Sequence, residues 1–319
     1  MARILSRYVL SISAAAALLG GCSGASQPIA AAPGDTSQLR AAAQAGLGEA
    51  RLLSKATSGD LLYVTDGEYV KIYTYPQGQF VATLGNFSGV HGMCSDASGD
   101  VYIPEYYQNA VVEYAHGGSS PIATINTIYN FPTDCSVDPT TGNLAVTVYN
   151  EVEVFKHSSS GWGLPTGYVD SGLGLMNYCG YDGSGNLFVD GFSGSYQLAE
   201  LPAGNSNFTN ISLSQRVKAV PYGVMWDGRD IAIASGWRSR KFPTPIYRFS
   251  ISGSTGTLVG ITKLRSSGGQ FHQFWLQDNK IIGTAIGGES TWDYPQGGLP
   301  KQLVSYVGGA VTVSVAPSR

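Results

Sequence analysis

From about residue 51 onward, the chain repeats a short apolar strand flanked by polar turns. The repeated strand is rich in Val, Ile, Leu and Ala and recurs roughly 40 to 50 residues apart, starting at Leu62, Val101, Leu144, Leu187, Ile231 and Ile281. Most copies follow a Gly-Asp or Gly-Asn pair, which is typical of a hairpin because Gly readily takes the positive φ that a tight turn needs. Each copy is preceded by one strand and followed by a third, rich in Val and aromatic residues, and usually by a fourth.

These copies predict an all-β fold, a six-bladed β-propeller of four-stranded antiparallel blades over residues 51–319. A single blade cannot bury both faces of its sheet, so neighbouring blades must stack around a ring. The first copy has a poor innermost strand near residues 51–56, whereas the sixth copy reads as complete through residues 310–316, with a third strand within 302–308. The pattern leaves open how the ring closes.

The first residues of the chain have the composition of an export signal. Arg3 and Arg7 precede an apolar run from Val9 to Leu19, and small residues follow it. This run is too short to cross a bilayer as a helix, which needs about 20 apolar residues. The pattern therefore predicts a cleaved signal peptide at residues 1–21.

The end of this run, Leu-Gly-Gly-Cys at Cys22, resembles the lipobox of bacterial lipoproteins. The resemblance implies that Cys22 is lipidated and anchors the protein to a membrane of the bacterial cell envelope, at the outer membrane or cell surface. An ordinary signal peptide with a chance cysteine is the alternative. Residues 22–50 are rich in Ala, Ser, Pro and Gln and contain few large apolar groups, which predicts a disordered tether.

The charge pattern argues against nucleic acid as a partner. The formal net charge is -3, and Lys and Arg form no cluster of the kind that binds a phosphate backbone. Signatures of nucleotide binding are also missing from the sequence, because no Gly-rich phosphate loop is followed by a helical pattern.

Two segments carry a family resemblance, CSVDPTTGNLAV at 135–146 and CGYDGSGNLFVDG at 179–191. Each combines an apolar strand, Asp, a turn with Gly-Asn and a second apolar strand, and in this the chain resembles the NHL repeat over about residues 51–316. Related gluconolactonase-like propellers often hold a divalent ion in the central channel, through acidic and amide side chains from different blades. The resemblance implies a propeller fold, but propellers serve as hydrolases and as binding scaffolds alike.

Polar residues are predicted to meet at one rim of the channel, where the innermost strands start and the second strands end. The strand starts contribute His91, Asn177, Tyr222 and His272, and the strand ends contribute Asp66, Glu105 and Asp190. Histidines and carboxylates on one rim suit a divalent cation such as calcium. Following the family resemblance, the ligands of such an ion would be Asp66, Glu105, Asn177 and Asp190.

Three cysteines follow Cys22, one in each innermost strand of the second, third and fourth copies. Cys135 and Cys179 lie three residues before a turn Asp, whereas Cys94 lies two residues before one. Because side chains alternate between the two faces of a strand, Cys94 points from the opposite sheet face to that of Cys135 and Cys179. Opposite faces of neighbouring blades meet, so Cys94 and Cys135 can face each other across the contact between blades two and three. A Cys94–Cys135 disulfide and two buried free thiols are the alternatives.

The sequence supports two functions. The first is a non-enzymatic envelope lipoprotein that presents a propeller face to an envelope protein, a peptide or a glycan. The second is a metal-dependent hydrolase or lactonase that acts at the predicted rim. Side chains that converge on one ion within about 2.0 to 2.6 Å favour the enzyme, and dispersed side chains favour the scaffold.

Overall fold

The computed structural model describes residues 58–217, 220–236, 243–267, 271, 273–306 and 308–317. These residues form strands and turns, and none of them belongs to a helix. Accordingly, this part of the chain contains no apolar helix long enough to cross a membrane. The predicted signal peptide, tether and Cys22 lie outside the described residues.

The first three blades occupy the N-terminal half of the described chain. Blade one contains β1 (Leu61–Thr65), β2 (Val70–Thr74) and β3 (Phe80–Leu84); blade two contains β4 (Cys94–Ser95), β5 (Val101–Glu105), β6 (Ala110–Tyr114) and β7 (Pro121–Asn126). Blade three contains β8 (Pro132–Val137), β9 (Leu144–Val148), β10 (Glu151–Phe155) and, after the hairpin β11 (His157–Ser158) and β12 (Gly161–Trp162), β13 (Thr166–Val169).

The remaining blades follow the same order from the innermost strand outward. Blade four contains β14 (Leu175–Tyr181), β15 (Leu187–Phe192), β16 (Tyr196–Leu201) and β17 (Thr209–Asn210). After β18 (Ser212–Leu213), blade five contains β19 (Val220–Trp226), β20 (Ile231–Gly236), β21 (Thr244–Ser252) and β22 (Thr255–Leu264). Blade six contains β23 (Phe274–Gln277), β24 (Lys280–Ala285), β25 (Gly288–Asp293) and β26 (Gly297–Gln302).

The last strand, β27 (Ala310–Ser314), closes the ring as the innermost strand of blade one. It pairs antiparallel with β1, from Leu61 opposite Ser314 to Thr65 opposite Ala310. The expectation that residues 310–316 complete the sixth copy is therefore wrong. A strand at the end of the chain can take this place because no strand precedes β1 in the part of blade one that the structure describes, and pairing satisfies the free edge of β1.

The innermost strands contact one another around the channel in the order β27, β4, β8, β14, β19, β23 and back to β27. This closed circuit and the four-stranded antiparallel sheets confirm the predicted six-bladed β-propeller. Blades five and six are also joined through their outer strands, since β22 pairs in parallel with β26 at Leu264 and Gly298.

The core is divided into six hydrophobic clusters, one between each pair of neighbouring blades. In β1, Leu61 and Tyr63 belong to the cluster shared with blade two, whereas Leu62 and Val64 belong to the cluster shared with blade six. Side chains alternate across a strand, so a central strand that is apolar at every position fills two clusters at once. This explains why the repeated strand of the sequence is continuously apolar.

The ring has two faces. The turns between the first and second strands of the blades form one face, called the turn face, and include residues 96–100, 138–143, 182–186 and 227–230. The turns between second and third strands, together with the loops that enter each innermost strand, form the opposite face, called the loop face. The predicted rim belongs to the loop face.

Candidate functional site at the two ends of the central channel

Two of the polar residues predicted at the starts of the innermost strands, Asn177 and Tyr222, occupy β-bulges, and Thr133 does so at the equivalent position of blade three. The pairing of β8, β14 and β19 with their neighbours shifts register at Thr133, at Asn177 and at Tyr222. A bulge places two residues opposite one and re-aims the side chains around it. Blades three, four and five therefore share a backbone irregularity in the channel wall.

The side chains at these bulges contact other residues of the channel wall. Thr133 Oγ1 donates to the carbonyl oxygen of Asn177 at 2.9 Å, and Asn177 Nδ2 donates to the carbonyl oxygen of Leu175 at 2.9 Å. Tyr222 is buried, with its ring centroid 6.2 Å from that of Phe271. The hydrogen bond from Thr133 to the carbonyl oxygen of Asn177 connects blade three to blade four.

Two of the expected carboxylates lie at separate turns. Asp66 is exposed and accepts hydrogen bonds from the N–H groups of Glu68 and Tyr69 in its own turn, at 3.2 and 2.9 Å. Partial burial raises the pKa of Asp66, but the nearby Tyr306 hydroxyl and these N–H groups lower it by more, so the net shift is downward. Glu105 is half-buried at the end of β5, and burial raises its pKa.

The third expected carboxylate, Asp190, is completely buried in β15. One of its oxygens accepts a hydrogen bond from the N–H of Tyr178 at 2.9 Å, and the hydroxyl of Tyr196 donates to the other at 3.5 Å. Burial raises the pKa of Asp190 well above its usual range, and the neighbouring Asp134 carboxyl adds to the shift. Asp190 is thus enclosed by its own blade.

Within the described ranges, no three His, Cys, Asp or Glu side chains are grouped so that they could hold a metal ion. Asp66, Glu105 and Asp190 therefore do not form the donor set expected for calcium, and Asn177 bonds to its own strand. His272 lies outside the described residues.

The middle of the channel is crossed by a network of hydrogen bonds from four blades, called here the central brace. Gln273 of blade six exchanges two hydrogen bonds with the backbone of Met93 in blade two, at 3.1 and 2.8 Å, and donates to Asp134 Oδ1 at 2.9 Å. Asp134 Oδ2 accepts from the N–H of Cys179 in blade four at 3.1 Å. Four innermost strands are thereby tied together across the channel.

The position of Asp134 in the central brace changes the pKa of its carboxyl. Burial raises the pKa of its carboxyl well above the usual range, although the N–H groups of Cys179 and Cys135 act in the opposite direction. A Cβ on Gly92 would collide with this carboxyl, so only glycine fits beside it. The sequence pattern did not indicate Asp134 because a single Asp inside a strand carries no spacing signal.

A disulfide joins Cys94 of blade two to Cys135 of blade three, with 5.6 Å between their Cα atoms. Cys179 is a buried free thiol, and burial raises its pKa well above the ordinary value. All three cysteines line the same cavity.

This cavity, called here the turn-face cavity, has a volume of about 310 Å³ and occupies the channel on the turn-face side of the central brace. Its lining includes Asp134 and Gln273 of the brace, Asp182 of a turn, and the aromatic residues Tyr181, Trp226, Phe274 and Trp275. None of the predicted rim residues that the structure describes lines it. A signal was nevertheless present in the sequence, because Tyr181 and Trp226 each directly precede a turn Asp.

The loop face carries a group of stacked aromatic side chains, called here the aromatic patch: His91, Tyr106, Tyr107 and Phe131. The ring of Tyr106 stacks on His91 at 4.6 Å and on Phe131 at 4.8 Å, and Tyr107 meets it edge-on at 4.9 Å. Tyr107 is 66% exposed and Phe131 is 37% exposed. Of the predicted rim, only His91 takes part.

Further apolar side chains are exposed on the same face of the neighbouring blades. They include Ile128 and Tyr129 beside the patch, and Tyr149 and Leu175 at blades three and four. Tyr149, Val169, Leu175 and Phe192 line a shallow depression of about 580 Å³. Exposed apolar patches of this kind mark interaction sites in soluble proteins. The sequence signal was the placing of large apolar residues in turns, where polar ones are usual.

The loop that presents part of the patch is fixed from below by a buried carboxyl. Glu153 in β10 is fully buried and accepts hydrogen bonds from the N–H groups of Ile128 at 3.0 Å and Tyr129 at 2.8 Å. Burial raises the pKa of Glu153, and these two N–H groups lower it. The backbone next to Phe131 is thereby held in one conformation.

Comparisons with known proteins support the fold alone. No family model matches the sequence, and no curated protein matches it. A chain from a crystal structure of a nidogen/laminin complex is similar, with a TM-score of 0.64 and 12% identity, over 82% of this chain and 100% of that one.

Two further solved structures are similar. A protein of unknown function from Bacteroides caccae has a TM-score of 0.60 and 12% identity, over 81% of this chain and 99% of that one. Hydrazine synthase from Kuenenia stuttgartiensis has a TM-score of 0.55 and 9% identity, over 75% and 74%. These similarities agree with a β-propeller fold.

Proposed function

We propose that the protein is a non-enzymatic, NHL-like propeller that binds a partner protein through its loop face. The observation that carries this proposal is the aromatic patch, in which His91, Tyr106 and Phe131 stack, Tyr107 meets Tyr106 edge-on, and two of the four rings are exposed. Tyr and Phe are enriched in the buried cores of protein interfaces, whereas charged residues are depleted there.

Contacts within the protein also restrict the movement of the aromatic patch before a partner binds. Stacking fixes the Tyr106 ring on both sides, and Glu153 holds the loop next to Phe131. A rigid surface loses less conformational entropy when a partner binds, so more of the contact energy appears as affinity. Apolar side chains on three consecutive blades extend the surface beyond the size of a sugar ring, and this favours a protein over a glycan.

The proposed location follows from the first residues of the chain. The Leu-Gly-Gly-Cys motif at Cys22 supports lipidation and an anchor in the bacterial cell envelope, where the partner would be found. A disulfide between Cys94 and Cys135 suits an exported protein, because disulfides persist in oxidising compartments. Replacing Cys22 by Ser is expected to move the protein from the membrane fraction to the soluble fraction.

One neighbour in structure offers an analogy. It comes from a crystal structure of a nidogen/laminin complex, so a chain of similar fold was crystallised as part of a protein complex. The alternative proposal, a metal-dependent hydrolase, draws no support from the described carboxylates, because Asp66, Glu105 and Asp190 lie apart.

The test is site-specific photo-crosslinking in the organism that makes the protein. A benzophenone amino acid replaces Tyr107 in the full chain, and in a control chain it replaces Phe80, an aromatic residue of β3 that is 62% exposed on the outer edge of blade one. We expect one discrete protein adduct from position 107 and none from position 80. The partner, once identified and purified, should bind the Tyr107→Ala chain roughly 10- to 30-fold more weakly, as expected of an interface hot spot.

Identical adducts from both positions, or binding that Tyr107→Ala leaves unchanged, would contradict the proposal. An adduct that disappears after glycosidase treatment would replace the protein partner with a glycan.

A further inference from the structure

We infer that the turn-face cavity binds a small organic cation, such as a quaternary or alkylated ammonium compound. The cavity lies at the opposite end of the channel from the aromatic patch, so this inference does not depend on the proposed protein-binding function. Three properties of its lining support the inference: aromatic walls, carboxyl groups without basic side chains, and size.

Aromatic side chains supply a large part of the wall. Tyr181 ends the innermost strand of blade four, Trp226 ends that of blade five, and Trp275 lies in that of blade six, so three consecutive blades each contribute one ring to the same cavity. An ammonium group near an aromatic face is attracted to the negative charge density of the ring face. Several rings around one cavity are the usual arrangement for recognising a quaternary ammonium group.

The charge of the lining has one sign. Asp134 lies in the central brace and Asp182 lies in the turn between β14 and β15, whereas no Lys, Arg or His is among the lining residues that the structure describes. An anionic ligand would meet carboxyl groups without a compensating charge. A cation would meet them with favourable sign, and its presence would favour the ionised form of Asp134.

The size of the cavity limits the ligand. A volume of about 310 Å³ corresponds to roughly ten water molecules at about 30 Å³ each. It therefore suits a ligand of about ten non-hydrogen atoms, at the lower end of the range for small-molecule sites. A peptide or glycan chain is too large to enter it.

The first experiment is calorimetric titration of the purified full chain with choline and, separately, with 3,3-dimethyl-1-butanol. The two probes have nearly the same shape, but only choline carries a positive charge. We expect choline to bind at least about tenfold more tightly than its neutral analogue, which corresponds to about 1.4 kcal/mol.

A cavity-blocking variant tests the location. A Cβ on Gly183 would meet only the Trp226 Nε1 atom, at 3.6 Å, so Gly183→Leu fits the backbone and places its side chain at the mouth of the cavity. The matched control is Gly163→Leu, where a Cβ would meet only the carbonyl oxygen of Lys156 at 3.7 Å, far from the cavity lining. We expect Gly183→Leu to weaken choline binding at least tenfold and Gly163→Leu to leave it unchanged.

A charge variant gives a second, independent readout. Asp182→Asn keeps an oxygen that can accept from the N–H groups of Ser184 and Asn186, so the backbone hydrogen bonds of the turn are preserved while the charge is removed. The variant loses one side-chain bond, from Asn186 Nδ2 to the second oxygen of Asp182. Its choline affinity should fall and its preference for choline over the neutral analogue should shrink. It also serves in place of Gly183→Leu if that variant melts at a lower temperature than the wild type.

Equal affinity for the two probes, no heat of binding at millimolar choline, or unchanged choline binding by a folded Gly183→Leu chain would each overturn the inference.

Discussion

The two faces of the propeller are built by different means. On the turn face, the turns at 96–100, 138–143, 182–186 and 227–230 are each held by an Asp that belongs to the turn. For example, Asp96 accepts hydrogen bonds from the N–H groups of Ser98 and Asp100, and Asp182 accepts from those of Ser184 and Asn186. These partners lie within four residues of the Asp. The geometry of the turn face is therefore encoded locally.

On the loop face, two loops depend on carboxyl groups from distant positions. Glu153 holds the N–H groups of Ile128 and Tyr129, and Glu289 of β25 accepts from the N–H of Gly308 at 3.0 Å, in the segment that leads into β27. Both glutamates are fully buried. The comparison shows that the turns at the turn face are held by their own side chains, whereas these two loops are held by a carboxyl from another part of the chain. One of the two loops carries the exposed side chains of Ile128 and Tyr129.

The disulfide is the exception to local encoding near the turn face, and its removal should have the largest effect on stability. In the double variant Cys94→Ala/Cys135→Ala, the free energy of unfolding should fall by about 4 kcal/mol, because the bridge closes a loop with a sequence separation of 41 residues. Chemical denaturation under non-reducing conditions measures this loss. The control is Cys179→Ala, which removes a buried thiol from the same cavity and should cost about 1 kcal/mol. An equal loss in both variants would show that packing, not the bridge, stabilises the wall.

On the loop face, Glu289 should make stability depend on pH. Burial raises its pKa to about 7, against the opposing effects of the Gly308 N–H and the Thr284 hydroxyl. The folded protein then holds a proton that the unfolded chain releases near pH 4.5, so the stabilising contribution is fully present below that pH and is lost as pH rises through about 7.

The expected loss over this window is roughly 3 kcal/mol, at 1.36 kcal/mol for each unit of pKa shift. Denaturation at pH 5 and pH 8 tests it in the wild type and in Glu289→Gln, which is neutral at both values. Burial also raises the pKa values of Asp134 and Asp190, so the difference between the two proteins isolates the effect of Glu289. Parallel curves for the two proteins would contradict the prediction.

The smallest of the three effects compares a distant anchor with a local one. Glu153→Ala removes the acceptor for two loop N–H groups and should cost about 2 kcal/mol, since each lost bond at a buried site is worth about 1 kcal/mol. Hydrogen exchange should speed up at residues 127–131, and binding of the partner protein should weaken as well. Asp96→Ala also removes the acceptor for two N–H groups, but water can replace it at this half-buried turn, and the cost should stay below 1 kcal/mol.

Much of the fold could be predicted from the sequence because each blade repeats a local pattern. The apolar second strands begin at or within one residue of the expected positions, and the Asp-Gly turns lie between first and second strands. That Cys94 and Cys135 face each other also follows from the alternation of side chains between the two faces of each strand. The prediction for the third strand of the sixth copy was wrong, since Tyr306 was expected in that strand but lies in the segment before β27.

The rim was harder to predict than the blades. Thr133, Asn177 and Tyr222 each lie five residues before the turn residue that ends the first strand of their copy, so the repeat predicts equivalent positions for them. The bulges show that the three positions are equivalent in the structure. Equivalent positions in the repeat did not bring these side chains together around one ligand, because each of them contacts other residues of the channel wall. A bulge changes where a side chain points without changing the sequence spacing.

The sequence by itself determined the strands, the turns and the number of blades, since strand alternation and turn chemistry act over a few residues. Only the tertiary structure decided how β27 closes the ring, how Gln273 and Asp134 meet across the channel, and which aromatic residues stack on the loop face. These features join residues as far apart in the sequence as Leu61 and Ser314. Contacts at such distances depend on the closure of all six blades, and no local pattern specifies them.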